Sequence, residues 1–188
     1  GARVPLIPDL ALAARFVERW GTPLHAGTLP EEALPAGLNR IFPRPNCIAA
    51  LAEKELTEAI GIPAARATAL LELARAIEDG RVDLSGARGS EVLVDQLTTL
   101  PGIGTWTAQY IAMRALGDPD AFPAGDLGLR KALAGRTTAT APRAHADGVS
   151  DRLPSEQELL QHSEAWRPWR AYAAMLLWQV ALPGRNGC

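Results

Sequence analysis

Between Leu97 and Arg130, three groups of residues have types and spacings that could do chemistry. The first is Leu100-Pro101-Gly102-Ile103-Gly104. Val92, Leu93, Leu97 and Leu100 mark a helical pattern that Pro101 and Gly102 should stop, and Gly104 permits a tight backbone before a second helix over Thr105–Leu116. The amides opening that second helix lack intrahelical acceptors, and glycine at 102 and 104 leaves their approach clear. A phosphate oxygen could bind there, at the positive end of the helix. A plain turn between two core helices accounts for the same residues. The second group is Asp126, which stands just before another helix, where aspartate serves as an N-cap. The third is Trp106 and Tyr110, four apart on one helix face, either as core packing or as a stacking surface.

The elements that must position these residues read as helices. Leu12, Ala13, Phe16, Val17 and Trp20 give helical spacing over Leu10–Trp20, with Gly21 as its stop. A Pro/Gly-rich connection follows from Thr22 to Arg44. Pro45-Asn46 opens a helix to about Ala52, Thr57–Ile60 is a further short one, and Pro63-Ala64 begins another that runs through Ile77 to Gly80. Leu56–Ala76 resembles a helix pair joined at Gly61-Ile62-Pro63, a little like a second hairpin, and is read as packing rather than nucleic-acid contact. Gly135–Pro154, containing a solvated His145, is a variable loop. Ser155-x-x-Glu158 is a capping box opening a helix to about Ala165. Pro168 introduces the last helix, Trp169–Val180, in which Tyr172, Met175, Leu176 and Trp178 give a wide apolar surface. No convincing alternating strand appears, so the fold class is all-α.

Composition narrows the function classes. The chain has 188 residues, of which 47% are hydrophobic, enough to bury a core as one domain or two small lobes. A net charge of −2 provides no global attraction for nucleic acid, so any such binding must rest on local geometry and a few arginines. Cys47 and Cys188 match no metal-ligand spacing and disfavour zinc or an iron–sulfur cluster, and Cys47 reads as a small buried thiol. No apolar run is long enough to span a bilayer, and no signal pattern opens the chain. The expectation is a cytoplasmic, nucleoid-associated protein without a membrane partner.

Two stretches carry a family resemblance: LPGIGTWTAQYIAMRALGDPDAFPAGDLGLRKAL, from Leu100, and EAWRPWRAYAAMLLW, ending at Trp178. Together, in that order, they resemble the helix–hairpin–helix/Gly-Pro-Asp DNA glycosylases, in particular the 3-methyladenine DNA glycosylase II branch, including the domain fused to some bacterial Ada-type regulators. The resemblance implies a bilobal helical fold, with 1–89 as an incomplete N-terminal lobe, 90–134 as hairpin and Gly-Asp motif, 135–154 as variable loop and 155–182 as closing helices. It implies an enzyme of base-excision repair that flips an alkylated purine, of the 3-methyladenine or 7-methylguanine type, out of duplex DNA and hydrolyses its N-glycosidic bond. Asp126 would be the catalytic carboxylate, stabilising positive charge on the sugar. Trp106, Tyr110 and Trp178 would line the base pocket by cation–π stacking. Leu100, Gly102, Ile103, Gly104, Thr105 and Thr107 would bind DNA.

Superfamily members that also nick the backbone carry a lysine where this chain has Trp106, so a monofunctional enzyme without lyase activity is expected. No cofactor and no metal is required for the chemistry, although carbonyls of Thr98, Leu100 and Ile103 could bridge Na⁺ or K⁺ to a phosphate. A monomer acting on duplex DNA with alkylated bases is the expected assembly. Set against the resemblance, the chain is expected to lack the family's leading helices and β-rich domain, and Arg3 and Ala2 fall where a wedge residue and a glutamine belong. Gln179 stands where an aromatic residue can follow Trp178. A non-catalytic helix–hairpin–helix DNA-binding module therefore stays open as the alternative, as does an all-α protein whose hairpin only packs.

Overall fold

In the computed structural model, residues 7–24, 39–140 and 153–181 are described, without the side chains of 7–10, 135–140, 180 and 181. The wedge position, His145 and Cys188 lie outside them. Among the described residues the fold is helical, with nine α-helices and one two-stranded ribbon, in two compact units. The first takes in the described residues up to Val82 together with Leu100–Gly102, and the second takes in Asp83–Thr99 and the described residues from Ile103 onward.

The first unit contains α1 (Ile7–Trp20), α2 (Pro45–Ala49), α3 (Glu53–Ile60) and α4 (Ala64–Glu78). Phe16, Ile48, Leu56, Ile60, Ala67, Leu71 and Ala74 form its core. At the Gly61-Ile62-Pro63 joint Gly61 ends α3 with φ +77°; Leu56 and Ile60 of α3 turn inward against Ala67 and Leu71 of α4, while Gly61 and Pro63 themselves are exposed. Several expectations are corrected here. α1 begins at Ile7, before Leu10, and α3 begins at Glu53, four residues before Thr57. The first turn of α3 is favoured by Glu53 and Glu55 at the positive helix end, a signal that apolar periodicity does not carry. The patternless connection after Thr22 includes a short antiparallel ribbon, β1 (Thr22–Pro23) against β2 (Arg40–Ile41). A Cβ at Gly21 would fall 2.4 Å from the Val17 carbonyl oxygen and 2.8 Å from that of Ile41, so only glycine fits this entrance. Cys47 is exposed, not buried, because five-residue α2 turns only Ile48 into the core.

The second unit contains α5 (Ser90–Thr98), α6 (Thr105–Ala115), α7 (Leu127–Thr140), α8 (Glu156–Ser163), a 3-10 turn over Glu164–Trp166, and α9 (Arg170–Ala181). Ala112, Met113, Phe122, Leu129, Leu159, Ala174 and Leu177 are among the buried residues of its core. The inward face of α9 is built from Ala171, Ala174 and Leu177, while Tyr172 and Leu176 face solvent. The expected loop from Gly135 is helical as far as Thr140, since a glycine weakens a helix by about 1 kcal/mol and does not by itself end it. α8 gives way to the 3-10 turn before Ala165. The capping box forms as expected: Glu158 N–H donates to Ser155 Oγ at 3.2 Å, and Ser155 N–H to Glu158 Oε2 at 2.7 Å.

Candidate active site

Asp126 is held by the loop that connects α6 to α7, and that loop is tied down at several points. Phe122 N–H donates to Gln109 Oε1 on α6 at 3.0 Å, Asp126 N–H to the Pro123 carbonyl at 2.9 Å, and Ala171 N–H on α9 to the Pro119 carbonyl at 2.9 Å. Asp120 takes two hydrogen bonds from the Arg170 guanidinium, each 2.8 Å, and another from Arg167. Burial works to raise the Asp120 pKa, but the hydrogen bonds and charge of Arg170, with the charge of Arg167, outweigh it and hold the carboxyl below its ordinary value of 3.8. The hydrogen bond from Arg167 likewise lowers the Glu164 carboxyl. Sequence reasoning did not single out Gln109, Asp120, Glu164, Arg167 or Arg170, because their partners are up to 50 residues apart.

The Asp126 carboxylate does two things at once. Oδ1 accepts from Leu129 N–H at 2.9 Å, which makes Asp126 the N-cap of α7. The same oxygen accepts from the Trp178 indole Nε1 at 2.9 Å, and Oδ2 accepts from Trp106 Nε1 at 3.0 Å. The capping and site readings of this aspartate are therefore compatible. Gly128, on the first turn of α7, leaves the space that this requires: a Cβ there would fall 3.0 Å from Asp126 Oδ1 and 3.4 Å from Trp178 Cδ1.

Trp106, Tyr110 and Trp178 come together beside this carboxylate. Trp106 and Tyr110 stack with ring centroids 5.5 Å apart and planes 10° from parallel, and Tyr110 meets Trp178 edge-on at 6.1 Å. Trp106 is 41% exposed, so it is a surface ring and not core. The Arg114 guanidinium lies 5.7 Å from the Tyr110 ring centre on the same helix.

The hairpin residues divide between inward and outward positions. Leu100 and Ile103 are buried. Gly102 has φ +80°, and a Cβ there would fall 2.9 Å from that of Ala69 in the first unit. Gly104 is the N-cap of α6 with an extended backbone, no side-chain cap, and nothing within 4 Å of the position a Cβ would take. Thr105 is exposed and Thr107 half-buried. The first backbone hydrogen bond of α6 runs from Ala108 N–H to the Gly104 carbonyl at 3.0 Å, which leaves the amides of Thr105, Trp106 and Thr107 without backbone acceptors among the described residues. The carbonyls of Thr98, Leu100 and Ile103 accept no hydrogen bond among the described residues. No group of three or more His, Cys, Asp or Glu side chains among those residues is placed to hold a metal ion, and no helix is long and apolar enough to cross a membrane.

A helical hairpin followed by a helix-capping aspartate between tryptophans defines a class. The chain belongs to the HhH-GPD superfamily of base excision DNA repair proteins, whose family model matches residues 10–164. Among individual relatives, it is 37% identical over 167 residues to a probable bifunctional transcriptional activator/DNA repair enzyme AlkA of Mycobacterium tuberculosis, covering 88% of this chain and 28% of that protein. It is 32% identical to DNA-3-methyladenine glycosylase 2 of Escherichia coli, covering 73% of this chain and 42% of the relative. The chain thus spans less than half the length of these relatives. Among solved structures, a 3-methyladenine DNA glycosylase from Archaeoglobus fulgidus superposes with a TM-score of 0.68 at 22% identity, over 95% of this chain and 54% of the other. A Schizosaccharomyces pombe 3-methyladenine DNA glycosylase in complex with abasic DNA superposes with a TM-score of 0.62 at 24% identity, over 96% and 84%. At those identities the superpositions establish the shared fold.

Proposed function

We propose that this chain is a monofunctional DNA glycosylase that releases alkylated purines, of the 3-methyladenine and 7-methylguanine type, from duplex DNA. The observation that carries the reading is a carboxylate fixed at a helix start between two indole N–H groups, with a third aromatic ring alongside. The family membership and the names of the relatives support the same substrate class.

In this reading the amides of Thr105, Trp106 and Thr107 hold a backbone phosphate beside Gly104. The damaged nucleotide swings out of the duplex, and its electron-poor base stacks against Trp106, Tyr110 and Trp178. As the bond from C1′ to the base breaks, its electron pair leaves with the base, which neutralises the alkylated purine. Asp126 stabilises the positive charge left on the sugar. Water then adds to C1′ and loses its proton, leaving an abasic site. With Trp106 in place of an amine nucleophile, no Schiff base forms and the strand stays intact.

One observation fits the non-catalytic DNA-binding alternative equally well: the uncapped start of α6, with open space at Gly104, can hold a phosphate without any action by Asp126. A release assay separates the two readings. Methylated duplex is incubated with the 188-residue chain, free base is quantified, and strands are analysed with and without alkali. The proposal expects released 3-methyladenine or 7-methylguanine, with breaks only after alkali, and loss of release in Asp126→Asn. Duplex binding without release from the unsubstituted chain would establish the alternative.

A further inference from the structure

The two oxygens of the Asp126 carboxylate are not equivalent. A carboxylate oxygen offers two lone-pair directions. Both on Oδ1 are taken, by Leu129 N–H and by Trp178 Nε1, each at 2.9 Å. Gly128 sits against the same oxygen: a Cβ there would fall 3.0 Å from it, close enough to push it, and 3.4 Å from Trp178 Cδ1. Oδ2 has one donor, Trp106 Nε1 at 3.0 Å, on a side chain that is 41% exposed. Trp106 also stacks almost parallel on Tyr110 with centroids 5.5 Å apart, too close for a flat base to enter between the rings, since a ring inserted between two others needs their planes about 7 Å apart at ordinary carbon contact distances.

We infer that the carboxylate has an anchored oxygen and a working oxygen. Trp178 and Gly128 are positioning residues: the Trp178 N–H fixes Oδ1, Gly128 leaves that oxygen its place, and together they set the direction in which Oδ2 points. The Trp106 N–H is a competitor for Oδ2 that must let go when a base enters and the sugar arrives. The two tryptophans, alike as aromatic walls, therefore have opposite effects through their N–H groups. The inference rests on the proposed glycosylase reading.

The test replaces one N–H at a time, by installing benzothienylalanine, which keeps the bicyclic ring and puts sulfur in place of the nitrogen. At position 178, the single-turnover rate of base release from methylated duplex should fall by about tenfold, as expected for a lost hydrogen bond to a charged group, while duplex affinity changes by less than about twofold. Gly128→Ala should follow the same pattern. At position 106 the rate should rise by about threefold, because a bond that must break before reaction is gone. Equal losses at 106 and 178, or no loss at 178, would overturn the inference while leaving the glycosylase reading standing; absence of release from the unsubstituted chain would instead remove that reading. A second measurement does not depend on the variants folding. In ¹⁵N-indole spectra, adding duplex with a tetrahydrofuran abasic site should shift the Trp106 N–H and leave the Trp178 N–H in place. A shift of the Trp178 signal alone would contradict the assignment of the anchored oxygen.

Discussion

Replacing Asp126 with alanine removes three hydrogen-bond acceptances at once, and the structure allows their loss to be sized. The cap on α7, accepted from Leu129 N–H, contributes about 1 kcal/mol. The Trp178 N–H belongs to a half-buried ring and loses its acceptor, which costs about another 1 kcal/mol. The Trp106 N–H is exposed and water replaces the carboxylate there, so it adds little. The expected destabilisation of Asp126→Ala is about 2 kcal/mol, which for a chain of this length lowers Tm by about 4–8 °C. Asp126→Asn keeps an oxygen for Leu129 and Trp178 but turns an amide N–H toward the Trp106 donor, so its loss should be about half as large. Thermal and urea unfolding of the three proteins, followed by circular dichroism, gives both numbers. If Asp126→Ala proves as stable as the parent chain or more so, the carboxylate does not cap α7 and the geometry built on it is wrong.

Other expectations follow from the same structure. Gly102→Ala forces an L residue into φ +80° and presses a methyl onto Ala69, so it should destabilise the chain by about 2 kcal/mol in urea unfolding. The Asp120 carboxyl is held below its ordinary pKa of 3.8 in the folded chain, so the stability it contributes is present above that value and is lost as pH falls below it toward the folded pKa. Unfolding midpoints compared at pH 7 and pH 3 should therefore converge between Asp120→Asn and the parent chain at the lower pH. Gly104→Glu, with open space at its Cβ, should leave Tm within about 2 °C but weaken duplex binding by charge repulsion at the α6 amides, as read by fluorescence anisotropy.

Local signals in the sequence are enough for the helices around the hairpin. Pro101 and Gly102 separate α5 from α6, and Ser155 with Glu158 marks the start of α8, because turn chemistry and capping act over a few residues. The position of Asp126 before α7 is legible in the same way. The indole bonds from Trp106 and Trp178 to its carboxylate are not, since they span 20 and 52 residues and depend on side-chain direction. Gly128 looks like any helix glycine until the oxygen and ring pressing on it are placed. The Asp120–Arg170 pair fixes the loop before Asp126 through a contact that no local pattern encodes. Cys47 departs from expectation because the burial habit of cysteine is an average, and a helix as short as α2 has room for only one inward residue, Ile48.

The proposal stands or falls on whether Asp126 stabilises positive charge at the sugar, and the most direct measurement is affinity for two duplexes that differ only there. One carries a cationic pyrrolidine in place of the damaged nucleotide, and the other a neutral tetrahydrofuran of the same shape. Preference for the transition-state charge should appear as pyrrolidine binding at least about 100-fold tighter, with the preference collapsing in Asp126→Asn. Equal affinity for the two duplexes, or a preference that survives Asp126→Asn, would contradict the role assigned to this carboxylate.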